Sequence, residues 1–158
     1  MASRLSESTA VGPSVVLPAN PAYAATARLF VASSARHFGV DETDVDDARL
    51  AVSEVFTASI ASLVSGSPSL ATGSVRVALA PGPDGAVLLQ MAVPGALPGP
   101  DGEHDAPYEA LEGGTAAGTS IRLVRILFPD TSIEAAEDGG TVIAFTIPGA
   151  GGEEPAKA

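Results

Sequence analysis

The stretch RLAVSEVFTASI, residues 49–60, decides how the chain is read. Its apolar and small residues form a ribbon suited to a buried helix, and one acid, Glu54, interrupts it. A carboxylate in such a ribbon needs a reason, because burying a charge without a partner is costly. One turn on, where a polar companion would lie on the same face, stands Ala58. Extended both ways, the stretch becomes DETDVDDARLAVSEVFTASIASLVSG. Asp or Thr at 41–44 caps the start, Asp44, Asp46 and Asp47 suit the positive end of a helix, and Gly66 stops it. Val45, Ala48, Val52, Val55, Ser59 and Leu63 recur every three or four residues and define its buried face.

Upstream, SVVLP (14–18) reads as a short strand closed by Pro18. A helix follows in NPAYAATARLFVASSARHFG, with Asn20 as N-cap, Pro21 in the first turn and Gly39 past the end. Ala22, Ala25, Leu29 and Ala32 give it an apolar stripe. Downstream the period changes to two. GSVRVALAP (73–81) and GAVLLQMAV (85–93) are strand-like runs separated by GPD, a hairpin signal. Residues 94–118 are rich in Gly, Pro and acids and form a long loop, a kind usually functional or disordered. A short helix over 119–128 ends at Pro129, and strands at 131–137 and 141–148 are joined through DGG. One domain is expected over 13–148, with disordered tails at 1–12 and 149–158. The expected class is α+β: a two-layer sandwich with a mixed, mostly antiparallel sheet of about five strands and about three helices on one face.

A chain of 158 residues, 46 % of them hydrophobic, is long enough for one real core. Its net charge of −11 argues against nucleic acid and against an anionic membrane surface. No cysteine is present, so disulfides, thiolate metal sites and cysteine catalysis are excluded. No apolar run is long enough to span a bilayer and the N-terminus lacks a signal-peptide core, so a cytoplasmic location is expected.

The order and spacing of four motifs resemble the ATP-binding (Bergerat) fold of the GHKL superfamily, within it the bacterial anti-sigma-factor serine kinases of the RsbW/SpoIIAB type. They are LPANPAYAATARLFV, RLAVSEVFTASI, GTSIRLVRIL and GGTVIAFTIP, and the resemblance covers residues 14–148. It implies that Glu54 holds the position of the base that prepares a hydroxyl for phosphoryl transfer. It implies an asparagine ligand for Mg²⁺ at 58, where this chain has Ala58, whose methyl offers no oxygen to a hard cation. Ser59 lies about 100° further around the helix and does not take over. The adenine-binding DxGxG motif falls on Val93, Pro94, Gly95, Ala96 and Leu97, of which Gly95 alone matches. Gly118 is kept, Ser120 replaces a second glycine, and Thr141 matches a threonine near adenine. Arg28 matches an arginine near the partner surface.

The resemblance thus implies an anti-sigma-factor-like regulator in bacterial transcription control, acting by protein binding with lost or weakened ATP binding. Its partner would be a sigma factor, an anti-anti-sigma antagonist or a related kinase, and it would form a homodimer. No resident cofactor is expected, with ATP and Mg²⁺ the cofactors if the site is live. One alternative is an active ATP-dependent serine kinase using Glu54; another is a small-molecule sensor using the remodelled pocket. Plainer roles stand beside these. Glu54 is equally read as a rim residue, Arg28, which borders a common helix side with Arg36, as a surface ion-pair donor, and His37 as a cation at a helix C-terminus. Arg122 and Arg125 read as solvent-exposed, His104 as part of the acidic loop, and Asp41 to Asp47 as a solvated helix start.

Overall fold

Strand β2 (Ser74–Pro81) alternates as its sequence requires: Val75, Val77 and Leu79 are buried while Ser74 and Arg76 are exposed. The same alternation runs through β3 (Val87–Val93) and, apart from Ala144, which is buried as well, through β5 (Thr141–Ile147), and antiparallel pairing puts the buried rows in line. Leu79 faces Leu89, which faces Phe145; Val77 faces Met91, which faces Ile143. With β1 (Ser14–Pro18) and β4 (Ser132–Ala135) at the edges, the order is β1-β2-β3-β5-β4. Among the described residues all four pairings are antiparallel, where a mixed sheet was expected. The computed structural model describes residues 12–66, 73–95, 97 and 116–149. The expected tails at 1–12 and 149–158 except for Gly12 and Gly149, most of the 94–118 loop, His104 and the side chain of Leu63 lie outside the described residues.

Among the described residues three helices pack on the sheet: α1 (Ala24–His37), α2 (Glu42–Gly66) and α3 (Ala116–Leu127). On α2 the expected face is the buried one, with Val45, Ala48, Val52, Val55 and Ser59 fully enclosed. Phe56 and Ala58 join them. Helix α3 is pinned at its far end, where Phe128 stacks on Phe145 of β5 with ring centroids 4.3 Å apart.

Helix α1 corrects the sequence reading. A 3₁₀ turn at Pro21–Tyr23, capped by the Asn20 side chain accepting from the Ala22 amide, precedes it. The helix then turns Ala27, Val31, Ala32 and Ala35 inward. Of the expected stripe only Ala32 is buried; Ala22 and Ala25 face solvent and Leu29 is 70 % exposed. Two alanine-rich stripes compete on this helix; Val31 faces the core and the larger Leu29 faces solvent, so side-chain size alone does not decide which stripe is buried. Two boundaries also move. Helix α3 begins at Ala116, so Gly118 lies in its first turn rather than in a loop before it. Strand β4 stops at Ala135, and residues 136–140 form the turn, closed by Ala136 N–H donating to Gly140 O at 2.8 Å.

Candidate functional site

Glu54 lies on α2 between the buried positions Val52 and Val55, and its side chain emerges at the seam with α3. There Ser120 Oγ donates to Glu54 Oε2 at 2.7 Å. The bond joins residues 66 positions apart, so the pair is a product of the fold and not of local sequence. Ser120 itself is 7 % exposed, and Ile121 beside it belongs to the core.

Ala58, one turn along α2, is 0 % exposed. Its methyl packs in the apolar cluster that also holds Val93 and Leu97. Ser59 is as deeply buried, and its hydroxyl donates to the Phe56 carbonyl at 2.8 Å. That hydroxyl is turned back on its own helix, as a serine within a helix commonly is. The α2 face next to Glu54 therefore presents carbon, not oxygen.

The second cluster is at the ends of β3 and β5, where Val93 pairs with Thr141 in the sheet register. Beyond Val93 the chain turns through Gly95, whose φ of 82° is one that side-chain-bearing residues rarely adopt. Thr141 Oγ1 donates to Gly95 O at 2.8 Å and accepts from Leu97 N–H at 3.1 Å. One hydroxyl thus satisfies two backbone groups and folds the segment back over the sheet end. Leu97, 8 % exposed, enters the core cluster as a result. Close packing also explains Gly140: a Cβ there would meet Val93 O at 2.7 Å.

The remaining candidates are placed elsewhere. Arg28 on α1 donates to Ser53 Oγ at 3.0 Å, tying α1 to α2 one residue before Glu54. Ser53 went unnoticed in the sequence, although a polar residue on a buried-face helix opposite an arginine-bearing helix is the available signal. Arg36 forms a fork with Glu42, at 2.6 Å and 2.9 Å. This hydrogen-bonded pairing lowers the Glu42 pKa and raises that of Arg36. Arg49 pairs with Asp46 at 3.0 Å. Burial, with Asp47 and Asp41 nearby, raises the Asp44 pKa. The acidic start of α2 is thus a mostly solvated, partly paired helix end. Among the described residues no group of His, Asp and Glu could hold a metal ion, and no helix is long and apolar enough to cross a membrane.

The profile of the histidine kinase-like ATPase domain family matches residues 17–147. No curated protein matches the chain. Among solved structures, the crystal structure of the RsbU and RsbW domains of Rv1364c from Mycobacterium tuberculosis is similar, with a TM-score of 0.55 at 20 % identity. That similarity covers 85 % of this chain and 32 % of the other, so this chain spans about a third of its length. At such identity the likeness is one of fold.

Proposed function

Because the chain belongs to the histidine kinase-like ATPase domain family, we propose that it is an anti-sigma-factor-like regulator whose nucleotide pocket has become part of its core. It acts by binding a protein, namely a sigma factor, an antagonist of the anti-anti-sigma kind or a related kinase, as a homodimer. The observation that carries this reading is the double engagement of Thr141. Its hydroxyl is committed to Gly95 O and Leu97 N–H, and Leu97 fills the space beside it. A purine seated there would need both the hydroxyl and the volume.

Magnesium-bound nucleotide does not fit the residues present. A divalent cation asks for oxygen ligands, and the position one turn from Glu54 is the buried methyl of Ala58. Val93 offers no side-chain acceptor to an amine. An unmatched buried amine costs about 1–3 kcal/mol, before any loss from displacing Leu97. Transfer of a phosphoryl group depends on positioning and charge neutralisation, so these losses bear on the chemistry as well as on affinity.

Glu54 supports a second reading. Its carboxylate is still partly exposed, at a seam where a hydroxyl already meets it, as an active serine kinase would need. Calorimetric titration of the purified protein with Mg·ATP separates the two. The proposed reading expects no binding tighter than about 1 mM, a free energy of about −4 kcal/mol. Low-micromolar binding, with serine phosphorylation of a partner abolished in Glu54→Ala, establishes the kinase instead.

A further inference from the structure

The helices take one side of the sheet, and the strand residues of opposite parity form its other face. On that face Val16, Arg76, Ala92, Val142 and Glu134 stand in one row across all five strands. The next row has Ala78, Gln90 and Ala144 at its centre and a serine on each edge strand. The chain carries a net charge of −11, yet the strands present here one cation, Arg76, and one anion, Glu134, which cancel. Depletion of charge marks the core of a protein interface. Arg76 and Glu134 are three strands apart in the sheet, about 14 Å at the usual strand spacing, too far to pair with each other. Neither has a hydrogen-bond or ion-pair partner among the described residues.

The order of the row selects the occupant. Arg76 on β2 and Glu134 on β4 lie equally far from the line midway between β3 and β5. A twofold axis above that line and parallel to the strands brings a second copy face to face, with each Arg76 over the partner's Glu134. The same operation sets Ala92 over Val142, Gln90 over Ala144 and Ala78 over Ser132, so no two bulky side chains collide. Stacked sheets lie about 10 Å apart, a gap that an arginine and a glutamate close by reaching from opposite sides. A basic polypeptide would gain more from the acidic remainder of the chain than from this neutral face.

We propose that the open face of the sheet is where two copies of this chain associate, Arg76 of each pairing with Glu134 of the other. This deepens the homodimer of the reading above and rests on that reading for the second copy, whatever the state of the nucleotide pocket.

Sedimentation equilibrium of the full chain tests it. Four strands of each sheet overlap, a small contact, so the wild type should dimerise with a micromolar dissociation constant. Arg76→Glu and Glu134→Arg each bring like charges together at two symmetric contacts. Each should weaken dimerisation about a hundredfold, about tenfold per contact. Both changes in one chain should return the constant to within about threefold of wild type. An equimolar mixture of the two single variants should recover as well, since each supplies the charge the other lacks, and that recovery shows both to be folded. A wild type still monomeric at about 0.2 mM would overturn the interface and the homodimer together. A wild-type dimer indifferent to both reversals would overturn the interface alone, leaving the homodimer to another surface and this face to another occupant. Single variants that weaken but do not recover on mixing would overturn it too.

Discussion

At the β3–β5 end of the site, one threonine makes two hydrogen bonds to backbone, and a leucine is carried into the core with them. At the α2–α3 seam, one serine makes one hydrogen bond to a partly buried side chain. The first closure combines apolar burial with satisfaction of groups that have nowhere else to turn. The second depends on a contact whose two members would both be content in water. The two ends of the candidate site thus differ in kind: one is closed by core packing with paired backbone groups, the other is bordered by a single polar contact.

The largest expected effect tests the apolar half of that contrast. Leu97→Ala removes a side chain from the core cluster and should cost about 2–3 kcal/mol in urea unfolding, near the low end for buried leucines because the site is at the rim. A cost under about 0.5 kcal/mol would mean that Leu97 covers the pocket without filling it. Next comes a direct comparison of the two hydroxyls. Thr141→Val leaves the Gly95 carbonyl and the Leu97 amide without their partner and should cost about 2 kcal/mol, against about 1 kcal/mol for Ser120→Ala. Matched urea midpoints for the two variants would erase the distinction between the ends.

The smallest effect is a control remote from both. Burial and neighbouring acids raise the Asp44 pKa in the folded chain. Folding thus favours the protonated form, and stability from this group is present at low pH and lost as pH rises through the folded pKa. Asp44→Asn, uncharged throughout, should gain a few tenths of a kcal/mol, about 0.3, at neutral pH after allowance for solvent screening. The gain should vanish near pH 3, below the ordinary aspartate value, where wild-type Asp44 is protonated in both states. Urea midpoints at the two pH values read it, and a gain that persists at pH 3 would assign the effect to something other than charge.

Strands and helices were legible because their periods differ, and the buried face of α2 was legible because valines mark it. On α1 the competing stripes are mostly alanine, and burial of so small a side chain carries too little free energy to declare itself in sequence. The start of α3 was missed for a related reason: Ala116 and Ala117 follow a glycine-rich run and look like its continuation. Within the candidate site, the apolar character of Ala58 and Val93 was readable, since it is a property of one position. What the surviving polar groups do with each other was not. Ser120 meets Glu54, and Thr141 meets Gly95 and Leu97, across separations of 66, 46 and 44 residues that only the tertiary fold closes.

The aromatic stack at the end of α3 has a mechanical consequence. Phe128 is anchored on Phe145, and Ser120 lies eight residues back along the rod, about 12 Å at helical rise. A swing of only 5° about that pivot displaces Ser120 by about 1 Å, as much as separates a good hydrogen bond from none. Ile121 and Val124, buried along the same rod, oppose that swing, so the Ser120–Glu54 distance is a measure of how tightly α3 is seated on α2.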